Sequence, residues 1–254
     1  MSAPQSSCDI LYEYRPLVTQ PRARIFCFPC AGRGASFFRS WTKHLPSDIE
    51  VCPIQLPGRE SRLSEVPFTR IEPLIQAVVE EITPYLNTPF VLLGHSMGAL
   101  IAFEVARLLQ SQGIEHPSKL IVAACRAPHI PRVNLTGPNV SDYTLLDILR
   151  CLNGTPSELL DHPEFMSIVL PILRADFTLI HNYTYAASEP LNLPIVALGG
   201  DQDETTQLPA LEAWEIHTSS MFNLHLLPGG HFFIETARRQ CMEIILEELR
   251  SAIP

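Results

Sequence analysis

Ser96, His231 and the aspartates Asp201 and Asp203 are the side chains whose types, order and surroundings could carry covalent chemistry. Ser96 is the centre of Gly94-His95-Ser96-Met97-Gly98, a G-x-S-x-G pattern. It lies between the apolar run Phe90-Val91-Leu92-Leu93 and a helix-forming stretch from Ala99 to Leu109. In that setting the serine sits on a sharp turn at the carboxyl end of a strand, with its hydroxyl pushed outward and a helix N-terminus behind it. Glycines on either side are expected because the turn brings backbone too close for a Cβ.

A serine hydroxyl is a poor nucleophile near neutral pH. It needs a base to take its proton, and the base needs an acid to hold its tautomer and stabilise the imidazolium. The order along the chain for this setting is serine, then acid, then histidine. His231, after Gly229-Gly230, is the candidate base. Asp201 and Asp203 both fit a strand-exit loop, and the G-x-x-D spacing from Gly200 favours Asp203. His95 lies inside the elbow, and His44, His116, His129, His162, His181, His217 and His225 fall on expected helices, within a strand or in the 126–185 region. The oxyanion donors would be two backbone N–H groups, one on Met97 and one from the Pro29–Gly32 loop, most readily Ala31.

The elements that must hold these residues alternate. Apolar runs predict strands at 24–28, 50–56, 90–93, 119–124, 194–198 and 222–227. Helices are expected at 36–44, 71–86 (with a break near Pro84), 99–112, 208–217 and 233–250. Such alternation predicts an α/β fold with a mostly parallel sheet covered on both faces. From about 126 to 185 the strand signals stop and helices are expected at 142–152, 156–160 and 163–182. An insertion there, above the carboxyl edge of the sheet, has the place of a lid. Residues 1–21 read as a polar lead-in, and 1–254 as a single domain.

At 254 residues, with 46% hydrophobic and 18% charged residues, the chain can bury a core without staples. No apolar stretch reaches the length of a membrane span, and the first residues lack the basic and apolar regions of a signal peptide. A cytoplasmic protein with reduced thiols is the expectation. The net charge of −9 argues against nucleic acid as a partner. The charge is uneven: residues 1–70 hold nine Lys/Arg against six Asp/Glu, which leaves a basic shoulder on an acidic chain. Cys27-x-x-Cys30 is the one paired spacing among seven cysteines. No second pair or histidine cluster accompanies it, so a structural role at a strand end is expected, with no metal site.

Taken together, these blocks resemble the α/β-hydrolase superfamily, and within it the type II (external) thioesterases of nonribosomal peptide and polyketide synthesis. The resemblance runs from about Arg24 to the last helix. It rests on Phe28-Pro29-Cys30-Ala31-Gly32, Phe38-Arg39-Ser40-Trp41, Gln55-Leu56-Pro57-Gly58-Arg59-Glu60-Ser61-Arg62, the elbow, Gly199-Gly200 with Asp203, and Pro228-Gly229-Gly230-His231-Phe232-Phe233. It implies a triad of Ser96, Asp203 and His231, oxyanion amides at Ala31 and Met97, and a monomer that needs no cofactor of its own. The implied substrate is a thioester on the 4′-phosphopantetheine arm of a carrier domain. Arg33 departs from the family, which usually has a second glycine there. The departure narrows the entrance or sets a cation near a carrier's phosphate. Two other readings share the fold: a general carboxylester or acyl-CoA hydrolase, and an idle scaffold that only docks a synthetase.

Overall fold

The computed structural model describes residues 20–131 and 140–252. The expected lead-in therefore lies almost wholly outside the described residues, as does part of the 126–185 region. Six strands form one sheet: β1 (Ala23–Phe28), β2 (Ile49–Pro53), β3 (Phe90–His95), β4 (Lys119–Ala123), β5 (Ile195–Gly200) and β6 (Phe222–Leu227). Their order is β2-β1-β3-β4-β5-β6, and every pairing is parallel. The chain runs outward from β1 to β2, then returns to the other side of β1 with β3. The winding reverses between β1 and β3, and the carboxyl ends at such a switch point open into a crevice.

Alternate side chains of each strand feed two cores. Phe26, Leu92, Leu120, Val122 and Ala197 point to one face, against α1 (Ile71–Ile82) and α2 (Met97–Gln112). Ile25, Cys27, Val91, Leu93, Ile121 and Val196 point to the other. There they meet Phe38 and Trp41 and the apolar side of α8 (Arg238–Ala252), including Cys241, Ile245 and Leu249. Burial on both faces is what makes β1 to β5 read as mostly apolar runs; the edge strand β6 is only partly buried and carries Asn223 and His225.

Between β4 and β5 come α3 (Asp142–Leu152), α4 (Ser157–Leu160) and α5 (Pro163–Asn182). The first and last have the expected boundaries. Four other elements differ. The helix expected at 36–44 is two 3₁₀ turns, Ala35–Phe38 and Trp41–Lys43, because the Ala35 and Ser36 amides are drawn into bonds with Gln55 and Glu60. The strand expected at 50–56 ends at Pro53; the Ile54 amide makes one more bond to β1, at 2.9 Å to the Cys27 carbonyl, before the chain leaves the sheet edge. The helix expected at 208–217 is α6 (Leu208–Glu212) followed by a 3₁₀ turn, Ala213–His217. The closing helix is interrupted at Ala237, which separates α7 (Phe233–Thr236) from α8. Among the described residues no helix is long and apolar enough to cross a membrane.

Candidate active site

Ser96 occupies the turn between β3 and α2 with φ 56° and ψ −114°, a conformation that non-glycine residues rarely adopt. Its amide donates to the Ala123 carbonyl at 2.8 Å, so the turn is anchored to the neighbouring strand. The two elbow glycines are required by contact rather than by φ. A Cβ on Gly98 would lie 2.0 Å from the Phe28 carbonyl oxygen, and one on Gly94 would lie 2.1 Å from that of Gly98. This close approach sets the N-terminus of α2, and with it the Met97 amide, directly behind the serine.

His231 reaches the serine from the loop after β6. Its Nε2 is 3.0 Å from Ser96 Oγ, and its Nδ1 is 2.8 Å from Asp203 Oδ2. The other Asp203 oxygen accepts from the Thr205 amide at 2.9 Å and the Thr205 hydroxyl at 2.6 Å. Burial pushes the Asp203 carboxyl up. The hydrogen bond from His231, that ring's charge and the bonds from Thr205 outweigh it and bring the carboxyl down to about 2. Asp203 is thus ionised throughout the neutral range, as the partner of an imidazolium must be.

Asp201 has a different place. Its Oδ1 accepts the Gly229 amide at 2.9 Å, which helps to shape the histidine loop, so of the two aspartates Asp203 is the one on the ring. Gly229 has φ +123°, and a Cβ on Gly200 would fall 2.4 Å from the carbonyls of both Gly229 and Gly230. The glycines therefore let two strand-exit loops touch, which brings Asp203 and His231 into register.

Two further residues belong to this network: Thr205, which no sequence motif marks, and His95, whose place inside the elbow gives no reason to link it to His231. Thr205 also lies 3.1 Å from His231 Nδ1. His95 is fully buried, with its Nε2 2.9 Å from the His231 carbonyl oxygen. Since a carbonyl only accepts, Nε2 carries the proton, and Nδ1 is buried with no partner among the described residues. Burial, reinforced by the nearby His231, lowers His95 to about 3, so it serves as a neutral donor that fixes the backbone of His231.

The serine opens into a cavity of about 300 Å³. Its base is the Cys30–Gly34 loop, and its walls include Leu149, Phe165, Val169, Ile172 and Phe177 from α3 and α5. Ala31 lines this cavity, and among the described residues its amide makes no hydrogen bond. Arg33 also lines the cavity. It donates to the Gly154 carbonyl in the α3–α4 turn, and its guanidinium stands 5.9 Å from the Phe37 ring centre and 6.0 Å from that of Phe232. Arg33 thus ties the α3–α4 turn to the loop that carries Ala31. Cys30 lines the pocket and Cys27 is buried in the second core; burial pushes both thiols up, Cys30 to about 12. A wider groove of about 660 Å³ runs between α1 and α2, lined in part by Ile75, Glu104 and Arg107, and holds none of Ser96, Asp203 or His231.

A model of the thioesterase domain matches residues 23–253, nearly the whole chain. The protein belongs to the thioesterase family. The thioesterase is 44% identical over 229 residues to the gramicidin S biosynthesis protein GrsT of Aneurinibacillus migulanus, covering 90% of each chain. Among solved structures it is similar to RedJ, a thioesterase from the prodiginine biosynthetic pathway in Streptomyces coelicolor. That match has a TM-score of 0.84 and 34% identity, over 91% of both chains. It is also similar to BorB, a type II thioesterase from the borrelidin biosynthetic cluster, with a TM-score of 0.85 and 33% identity over 95% of this chain and 98% of that one. The fold is accordingly that of the α/β-hydrolases, and the enzyme is a hydrolase acting on thioesters.

Proposed function

We propose that this thioesterase hydrolyses acyl or aminoacyl groups held on the 4′-phosphopantetheine arm of carrier domains, clearing stalled or incorrect groups from a nonribosomal peptide or polyketide synthetase. The observation that carries the reading is the hydrogen-bonded chain Ser96–His231–Asp203 at the mouth of an apolar pocket. Ser96 Oγ attacks the thioester carbonyl carbon while its proton passes to His231 Nε2. The oxyanion is held by the Ala31 and Met97 amides, and the imidazolium by the ionised Asp203. Collapse expels the pantetheine sulfur, which takes the proton from His231, and leaves an acyl-Ser96 ester. Water then adds to that ester with His231 again as base; the acid departs and Ser96 regains its proton. No cofactor of the enzyme's own enters these steps.

In this reading the single domain carries its lid in the 126–185 insertion. Its helices α3, α4 and α5 cover the acyl group while the arm reaches in past Arg33. The test presents one short acyl group on a phosphopantetheinylated carrier protein and on coenzyme A. A much larger kcat/KM for the carrier is expected, because docking to protein supplies binding energy that the small thiol lacks. Equal rates would replace the reading by a general ester and thioester hydrolase. Absence of hydrolysis in both would replace it by a docking scaffold or by a substrate of another kind.

A further inference from the structure

The Gln55–Arg62 stretch carries polar side chains for which the hydrolytic steps have no direct use, and they converge on the loop that bears Ala31. Gln55 Oε1 accepts the Ala35 amide at 2.9 Å, and its Nε2 donates to the Arg59 carbonyl at 2.9 Å. Glu60, held at φ +48°, accepts from the Ser36 amide at 3.2 Å and the Ser36 hydroxyl at 2.5 Å. Arg59 donates to the Arg33 carbonyl at 3.3 Å and forms a two-pronged pair with Asp176 of α5, at 2.6 and 2.7 Å. Asp176 Oδ2 in turn accepts the Gly32 amide at 2.8 Å.

The Arg59 and Asp176 side chains are only 4% and 3% exposed. Taking two ions out of water costs several kcal/mol each, and apolar packing joins a helix to a loop at least as well. What the ion pair adds is direction: a carboxylate oxygen fixed by two bonds and aimed at one amide. Gly32, at φ +76°, is gripped from the same helix a second time. A Cβ there would lie 2.6 Å from Leu173 Cδ2, and Leu173 and Asp176 stand three residues apart on one face of α5. Pinning the Gly32 N–H fixes the peptide plane that follows Ala31. The turn bond from the Arg33 amide to the Cys30 carbonyl, 3.1 Å, closes the loop around it. The Ala31 N–H lies in the preceding plane, which that turn bond holds at its Cys30 carbonyl, so α5 acts on its direction through Gly32 and the closed loop.

We propose that Arg59 and Asp176 are positioning residues for the Ala31 amide, and that they make its aim depend on what fills the acyl pocket. The proposal rests on the reading of Ser96 as nucleophile and Ala31 as oxyanion donor. Ile172, Leu173 and Phe177 flank Asp176 on α5 and line the pocket. An acyl group that seats against them holds Asp176 on Gly32; one that fits poorly lets the amide drift. A misplacement of about 1 Å is enough to cost roughly 100-fold in rate. Acyl preference then appears in kcat as well as in KM.

The experiment uses pantetheine thioesters from acetyl to decanoyl, with a trifluoromethyl ketone bearing the best of these chains. Ser96 Oγ adds to the ketone carbon and gives its proton to His231, leaving an oxyanion in the hole. The variants are Asp176→Asn, Arg59→Lys, and the double variant Arg59→Gln/Asp176→Asn, which exchanges the buried ions for an amide pair and guards against loss of fold. Thermal unfolding establishes that each is folded. For Asp176→Asn, and for the double variant with the same sign, kcat falls roughly 10- to 100-fold, a share of what a lost oxyanion donor costs. The ketone weakens in parallel, KM stays within about threefold, and the spread of kcat across the acyl series narrows. Folded variants with kcat and ketone affinity within about threefold of the parent overturn the proposal, as does a rise in KM at constant kcat. If the ketone fails to inhibit the parent enzyme through Ser96, the reading beneath the proposal falls and takes it along. Ser96-dependent inhibition that is unchanged in the variants sinks the positioning role alone.

Discussion

Replacing Asp203 by asparagine reverses the hydrogen-bond chain that prepares Ser96. The Thr205 amide and hydroxyl both donate to Asp203 Oδ1, at 2.9 and 2.6 Å, so an asparagine there keeps its carbonyl oxygen on Thr205 and turns its NH₂ toward His231 Nδ1. Nδ1 must then accept, which puts the ring proton on Nε2, 3.0 Å from Ser96 Oγ. That nitrogen no longer takes the serine proton. The loss of the correct tautomer is worth about 10⁴-fold in kcat, or about 5.5 kcal/mol of barrier. Asp201→Asn keeps an acceptor for the Gly229 amide and does not touch the ring, so it is expected to cost less than about tenfold. Both variants are assayed by chromatography of the acid released from an acyl-pantetheine thioester, with folding checked by thermal unfolding. An Asp203→Asn enzyme within tenfold of the parent, or a larger loss in Asp201→Asn, would refute the assignment of the acid.

Three further outcomes are expected. Gly98→Ala places a Cβ 2.0 Å from a carbonyl oxygen in the sheet and should lower stability by about 3 kcal/mol, the upper part of the range for overpacking; an unchanged denaturation midpoint would contradict the contact. His95 is held neutral down to about 3 in the folded protein but takes up a proton near 6.5 when unfolded. Its share of stability is full above about 6.5 and is lost as pH falls toward 3, by up to about 5 kcal/mol. His95→Gln keeps a donor for the His231 carbonyl and should flatten the pH dependence of chemical denaturation between pH 7 and 4. His217, lowered to about 4 by burial and the neighbouring His129, supplies the slope that persists, and an unaltered slope would count against the role of His95. Among the six described cysteines Cys151 alone is exposed, so iodoacetamide at neutral pH should label it ahead of Cys30 and leave activity intact; early labelling of Cys30 with loss of activity would show the pocket thiol to be reactive.

Much of the frame could be read in the sequence because the sheet is buried on both faces. Runs such as Phe90–Leu93 and Leu120–Ala123 have no polar interruption, and the serine and the acid each follow such a run; the histidine follows the edge strand Phe222–Leu227, which Asn223 and His225 interrupt. The 3₁₀ turns at Ala35–Phe38 and Trp41–Lys43 were hidden, because long-range bonds from Gln55 and Glu60, not local propensity, decide their geometry. The break at Ala237 interrupts an apolar periodicity that gives no sign of it. Asp203 could be favoured over Asp201 by the G-x-x-D spacing, but the distinct tasks of the two aspartates depend on which loop each carboxylate meets in space. Thr205, His95 and the Arg59–Asp176 pair were invisible for the same reason: 117 positions separate that ion pair, and nothing in the spacing joins them.

The central claim is that turnover passes through an acyl group esterified to Ser96. The most direct measurement is rapid acid quenching during turnover of an acyl-carrier substrate, followed by intact and peptide mass spectrometry of the parent enzyme and of Ser96→Ala. The account predicts an adduct of acyl mass on the peptide containing Ser96, with neither adduct nor hydrolysis in the Ser96→Ala protein. An adduct on another residue, such as Cys30, or a Ser96→Ala enzyme that still turns over at a large fraction of the parent rate, would contradict it.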